Sequence, residues 1–217
     1  MRRSATLDPA AILVGLSAAS ARPTADDPTT ADILDAAGEL LGRYGLGRWS
    51  MDDVATRAGV GRATVYRRFT SREEVVNATV ARDLHRFFAT VAEAVAGTPD
   101  LVDKVVEGFV IGLRAAGDTL LPELFSSDSS TVMALLNAAP VIDLGRAALV
   151  GQYEAIMGRD LRDPEREEVE LVAEALIRLA LSFLLIPGSS IDFDDETAAR
   201  SAVRRVVAPL LGGPPRR

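Results

Sequence analysis

The sequence predicts an all-α protein, with a small N-terminal head of three helices, a connector helix and a larger C-terminal helical body. Three observations carry that prediction. From Asp27 onward apolar residues recur at three- and four-residue intervals, the spacing of one buried helix face. No run alternates apolar and polar residues as a half-buried strand would. Between Trp49 and Val75 the stretch WSMDDVATRAGVGRATVYRRFTSREEV sets two short amphipathic segments around a glycine turn, with a further helix start directly behind them.

Residues 1–27 are read as a disordered or weakly structured leader. Arg2 and Arg3 precede an apolar stretch, Ala10 to Ala19, and a small-residue Ala19-Ser20-Ala21, an arrangement similar to a secretory signal. The apolar stretch is short and broken by Gly15 and Ser17, and it falls below the roughly 20 residues a bilayer span requires. An extension added by a misassigned start codon fits it better.

The first helix is expected to open on a capping box of Thr29 and Asp32 and to bury Ile33, Leu34, Ala37, Leu40, Leu41 and Tyr44 before ending at Gly45. Ser50 and Asp53 form a second box. Met51, Val54, Ala55 and Ala58 then make the inner face of the next helix, and Gly59 supplies the positive φ that ends it. Val60 is expected buried in the turn. The third helix runs from Arg62 to Phe69, with Val65 and Phe69 inward. Its outward set is Arg62, Ala63, Thr64, Tyr66, Arg67 and Arg68. Guanidinium groups fork onto guanine or pair with phosphate, hydroxyls reach phosphate oxygens, and a methyl touches thymine. Two helices around a turn, with such an outer face, are how a small domain lays a helix in the major groove of DNA.

Ser71 with Glu74 opens a long fourth helix whose Val75, Val80, Leu84, Phe87, Phe88, Val91 and Val95 point inward until Gly97 and Pro99. Further helices are expected over Leu101 to Ala116, Ser129 to Asn137, Val141 to Gly158, Pro164 to Ile186 and Asp195 to Leu211, punctuated by Pro122, Pro140, Pro164 and Pro187-Gly188. Pro164 suits the first helical position, with Glu165, Glu167 and Glu168 in the first turn. Residues 212–217 read as a frayed tail.

Composition bounds the chemistry. The 217 residues, 48% hydrophobic, suffice for one small and one larger domain. With no cysteine and a single histidine, His85, disulfides, thiolate metal sites and multi-histidine sites are excluded. The net charge of −7 argues against a nucleic-acid partner, but Arg43 to Arg72 holds seven arginines against Asp52 and Asp53, net +5. A basic head on an acidic body is the expected footprint of a DNA-binding protein.

Residues Thr29 to Val76 resemble the DNA-binding domain of TetR-type (TetR/AcrR) transcriptional regulators. Ala58, Gly59 and Val60, then Thr64, Val65 and Tyr66, then Phe69, Ser71, Arg72 and Glu73 are similar to that family position by position. There are two departures. Gly61 stands where a serine often caps the recognition helix, a loss of only a few tenths of a kcal/mol. Arg72 stands where lysine is usual.

The resemblance implies a helix-turn-helix DNA-binding domain over 28–76 and a helical ligand-sensing and dimerisation domain over 77–211. It also implies a cytoplasmic homodimer on an inverted-repeat operator, most often a repressor, with no cofactor, metal or membrane partner. Within the head, Thr29, Ser50, Thr64, Tyr66, Arg68 and Arg72 are the phosphate candidates, and Arg62, Ala63 and Arg67 the base-reading candidates. His85, Phe88, Phe109, Leu113, Phe125, Met133, Tyr153 and Met157 are candidates for the pocket of an apolar or amphipathic small molecule. Val169, Val172, Ala173, Leu176, Ala180, Phe183, Val203, Val206, Val207 and Leu210 are candidates for a two-fold interface of four helices. The alternative is a DNA-binding regulator whose body senses a protein partner or no ligand.

An enzyme is the rival from another class, and few residues favour it. Gly59 to Thr64 has the look of a phosphate-binding glycine loop but follows a helix where a strand is required. Pro187-Gly188-Ser189-Ser190 lacks the strand and histidine of a hydrolase turn. Glu167 and Glu168 diverge around their helix, and Asp192, Asp194 and Asp195 read as a solvated loop.

Overall fold

The computed structural model describes residues 27–46, 49–116, 119, 139–186 and 188–212. The expected leader except Asp27, the helix over Ser129 to Asn137 and most of the tail lie outside them. Every regular element among the described residues is helical: α1 (Pro28–Tyr44), α2 (Met51–Arg57), α3 (Arg62–Arg68), α4 (Arg72–Ala94), α5 (Leu101–Ala115), α6 (Ala139–Met157), α7 (Glu165–Leu185) and α8 (Glu196–Val207), with a 3-10 turn over Ala208–Leu211. The chain divides into two compact units, with one change from unit to unit inside α4 between His85 and Arg86.

In the N-terminal unit α1 packs on α2 and α2 on α3. Ile33, Leu34, Ala37 and Leu41 of α1, Val54 of α2, Val65 of α3 and Val75, Val76 and Val80 of α4 are almost wholly removed from water. Two expectations for α1 need correction. Asp27, not Thr29, caps the helix: its carboxylate accepts from the Thr30 amide at 3.1 Å and the Thr30 hydroxyl at 2.8 Å. Pro28 takes the first helical position, where its missing N–H costs nothing. Tyr44 is exposed, because α1 ends there, and the Arg43 guanidinium lies 5.4 Å from its ring centroid.

Helix α2 is fixed at both ends. The Ser50 amide donates to Asp53 Oδ2 at 2.7 Å while the Asp53 amide donates to Ser50 Oγ at 3.3 Å, closing the predicted capping box. At the other end Gly59 takes φ +66°, its amide donates to the Thr56 carbonyl at 3.3 Å, and the Val60 amide reaches back to Ala55 at 3.0 Å. That paired arrangement is a Schellman motif. Val60 and Ala58 are only half-buried there.

In the C-terminal unit α5 and α8 pack most extensively, with α7 also against α5. Val106, Val110, Leu176, Ala199, Val203 and Val207 make one core, and Val150, Leu161 and Ala173 a second. Charges of complementary order run along α5 and α8: Arg204 pairs with Asp103, Arg200 with Glu107 at 2.6 Å, and Arg114 with Glu196. Helices α6 and α7 approach so closely that a Cβ on Gly145 would lie 2.7 Å from the Ile177 side chain. Pro164 occupies the N-cap of α7, one position earlier than expected, and its carbonyl accepts from the Glu168 amide. Among the described residues no helix is long and apolar enough to cross a membrane.

Candidate nucleic-acid interface

Helix α3 buries Val65, with Phe69 just beyond its end, and leaves Arg62, Ala63, Tyr66 and Arg67 exposed. At 100° per residue those four occupy one continuous side of the helix. Thr64 is half-buried at its margin. The helix begins at Gly61 without a side-chain cap, as the glycine there requires.

The arginines of the head divide by what they touch. Arg67 is exposed, and no ion pair holds it among the described residues. Arg62 keeps an exposed guanidinium but has Nε 2.8 Å from Asp52 Oδ1 and Cζ 5.4 Å from the Tyr66 ring centroid. Arg57 pairs with Glu39. Arg68 is turned back toward α1: its Nε donates to Asp27 Oδ2 and to Thr30 Oγ1, both at 2.9 Å. Hydrogen bonds from Thr30, opposed in part by desolvation and helped by the Arg68 charge, hold the Asp27 carboxyl below its ordinary value.

Arg72 is the most enclosed of them. Its guanidinium lies 4.3 Å from the Trp49 ring centroid, and Nη2 donates to the Leu46 carbonyl at 2.6 Å. The indole Nε1 in turn donates to the Gly45 carbonyl at 2.9 Å. Burial pushes the Arg72 pKa down, yet guanidinium remains charged at any physiological pH. Trp49 and Arg72 thus bind the end of α1 to the start of α4. Of the phosphate candidates, Thr29 and Thr64 are half-buried, Ser50 and Tyr66 exposed, and Arg68 and Arg72 carry intramolecular partners.

The basic footprint needs correction on the same grounds. Counted over 27–76, seven arginines face eight carboxylates, because α1 brings Asp27, Asp32, Asp35 and Glu39 and α4 adds Glu73 and Glu74. The fold places two of the α1 carboxylates directly on arginines of the head. Sequence spacing shows charge pairs three or four apart on one helix, so these cross-helix partners carried no signal in it.

The described pocket candidates differ in surroundings. Phe109 flanks the larger core, edge-on to Phe183 at 6.2 Å between ring centroids, while Tyr153 flanks the smaller one. Phe88 and Leu113 are half-buried, His85 and Met157 exposed. Phe125 and Met133 lie outside the described residues. The candidate interface residues also divide. Ala173, Leu176, Val203 and Val207 are buried within the protomer, and Val169 and Val172 pack beside them. Ala180 and Phe183 are half-buried, while Val206 and Leu210 stand 45% and 40% exposed.

A three-helix head with a capped helix, a glycine turn and an outward polar helix face defines a helix-turn-helix DNA-binding protein. Residues 33–79 match the model of bacterial regulatory proteins of the tetR family. Two uncharacterized HTH-type transcriptional regulators of Mycobacterium tuberculosis, from strains CDC 1551/Oshkosh and H37Rv, are each 27% identical to the chain over 182 residues, covering 82% of it and 83% of the relative. The TetR family repressor AlkX from Dietzia sp. strain DQ12-45-1b superposes with a TM-score of 0.61 at 22% identity, over 83% of this chain and 96% of that one. GusR of Salmonella enterica does so with a TM-score of 0.52 at 20% identity, over 88% and 98%. These likenesses support a DNA-binding transcriptional regulator of the tetR type rather than an enzyme.

Proposed function

We propose that this regulator acts in the cytoplasm as a homodimer on an inverted-repeat operator, as a repressor released by an apolar or amphipathic small molecule. The observation that carries the DNA part is the exposed face of α3, where Arg62, Ala63, Tyr66 and Arg67 have no place in the core. Arg62, Ala63 and Arg67 read base edges. Ser50, Thr29, Thr64 and Tyr66 meet phosphates, and Arg68 and Arg72 support the head that presents them. Domain limits of 28–76 for reading and 77–211 for sensing and dimerisation fit this division of labour.

One helix contacts too few bases for useful selectivity, so a two-fold dimer with recognition helices about 34 to 36 Å apart is the natural reader of a palindrome. Exposed Val206 of α8 and Leu210 of the 3-10 turn behind it support a dimer face there. Release by ligand is a population shift; moving it from 1:99 to 99:1 takes about 5.5 kcal/mol of differential affinity. The second reading of the body is that it senses a protein partner or nothing.

The test is a binding selection on genomic fragments with the purified full chain at moderate salt. Enrichment of a single palindromic motif is the expected result, and the genes beside it narrow the ligand. Enrichment with no motif, vanishing as salt rises, would mean that the head binds phosphate without reading sequence.

A further inference from the structure

We propose that Asp52 is a positioning residue for sequence reading: it holds the Arg62 guanidinium against α2, so that Arg62 meets a guanine with its terminal Nη edge. The inference rests on the DNA-reading role proposed for α3. Three observations lead to it. Asp52 Oδ1 lies 2.8 Å from Arg62 Nε, and this is the only carboxylate at ion-pair distance from Arg62 among the described residues. The Tyr66 ring, one turn further along α3, lies 5.4 Å from the same guanidinium. The side chains of the pair are 65% and 52% exposed, on the side of the head where the outer face of α3 lies.

Asp52 is not needed to start its own helix. The capping box of α2 is closed by Ser50 and Asp53 alone, and the Asp52 side chain is paired with the next helix instead. As a stabilising contact the pair counts for little, since exposed ion pairs shift equilibria by at most about fivefold. Its electrostatic effect on DNA binding is unfavourable, because a carboxylate beside the reading face repels phosphate in a head that already holds more carboxylates than arginines. What the pair supplies is orientation. Arginine reads guanine by placing two N–H donors on O6 and N7. A guanidinium on a free chain samples many poses and pairs equally well with phosphates. With Asp52 at the Nε side and Tyr66 alongside, the side-on fork of Nε and Nη2 is blocked and the end-on fork of Nη1 and Nη2 remains. The same carboxylate disfavours a neighbouring phosphate as a decoy for Arg62, so discrimination is gained where gross affinity is lost.

The experiment is a selection from a randomised operator library with four full-length proteins: wild type, Asp52→Asn, Arg62→Ala and the double variant, each checked by thermal melting. Arg62→Ala should erase preference for a guanine at one position per half-site, a loss of about 5- to 150-fold in discrimination. Asp52→Asn should weaken preference at that same position by about two- to fivefold while raising affinity for unrelated DNA. The double variant should match Arg62→Ala at that position. An unchanged preference profile in Asp52→Asn, or a change at a position that Arg62→Ala leaves alone, would overturn the proposal. If Asp52→Asn melts well below wild type, Asp52→Glu, which keeps the charge at a different reach, takes its place with the same criteria. A wild-type protein that selects no motif would instead overturn the DNA-reading role itself.

Discussion

The two units of this protein differ in how completely each satisfies itself. In the N-terminal unit all four helices contribute side chains that are nearly sealed from water, and each helix end from Asp27 to Ser71 with a polar cap or a glycine has it in place. The C-terminal unit also closes cores, around Val106, Val110, Leu176, Ala199, Val203 and Val207 and around Val150, Leu161 and Ala173, yet Leu171 of α7 stands 71% exposed and Ile186, Val206 and Leu210 also face water. A head that is complete by itself can be carried to DNA as a rigid reader. The apolar side chains that the described residues of the body leave exposed are those that the proposed symmetry mate would cover.

The sharpest way to break that contrast is a pair of leucines. Leu34→Ala, in the head core, should cost about 2 to 5 kcal/mol in denaturant unfolding of the full chain. Leu171→Ala should leave protomer stability within about 0.5 kcal/mol and instead raise the dissociation constant of the dimer, read by sedimentation. A Leu171→Ala protein that unfolds as readily as Leu34→Ala would place Leu171 inside a protomer core.

A pair of arginines sharpens the picture inside the head. Arg72→Ala removes the stacking on Trp49 and leaves the Leu46 carbonyl without its donor, a loss of about 1 to 3 kcal/mol measured by chemical denaturation. Arg67→Ala should leave stability untouched and instead relax base preference at one position per half-site, at a cost of about 1 to 3 kcal/mol in operator binding. Because Arg57, Arg62 and Arg68 are already paired with carboxylates, the slope of log affinity against log salt should be shallow for a sequence-specific dimer. A steep wild-type slope would show that DNA displaces Asp27 or Glu39 from their arginines.

Acid titration compares the two units again. Hydrogen bonds from Arg114 and Arg200 hold the Glu196 carboxyl below its ordinary 4.5, and Asp27 in the head lies below its ordinary 3.8, chiefly through Thr30. A depressed carboxyl stabilises fully above its ordinary value, and that contribution is lost as pH falls through the folded-state value. Glu196→Gln should therefore flatten the fall of melting temperature with pH below 4.5 in the body, and Asp27→Asn the fall below 3.8 in the head. An unchanged acid profile in Glu196→Gln would mean that the α5–α8 ion pairs exchange freely with solvent. Arg200, whose pKa is raised by Glu107 and Glu196, stays charged throughout this range and adds no pH dependence of its own.

What was legible in the sequence follows from the range of each interaction. The Ser50–Asp53 box, the Gly59 turn and the inward positions of α3 are set by residues within one or two turns of each other, and they stand in the structure as the spacing indicates. Asp27 also carries a local signal, an aspartate followed by a proline at the first helical position. The exposure of Tyr44 and the division of the α7 and α8 stripes between protomer core and open surface depend on which helix meets which. A periodic pattern marks a face as apolar without naming its partner. The arginine partners are less legible still: Glu39 meets Arg57 and Asp27 meets Arg68 across 18 and 41 residues of chain.

The finest test returns to the two glycines that bracket the start of the recognition helix, since they look alike in sequence and differ in backbone. Gly59 has φ +66°, so Gly59→Ala forces a side chain into the left-handed region and should cost about 1 to 2 kcal/mol. Gly61 has φ −68° and ψ 143°, an ordinary extended cap, and a Cβ there would meet only the Thr64 hydroxyl, at 3.8 Å. Gly61→Ser should fit without strain, give α3 the side-chain cap it lacks and stabilise the head by a few tenths of a kcal/mol, seen as slower amide exchange in the first turn of α3. Operator affinity should rise by no more than the same small factor, because the reading face is unchanged. A large gain in affinity from Gly61→Ser would mean that α3 is frayed before it meets DNA, and that much of the binding energy goes into ordering it.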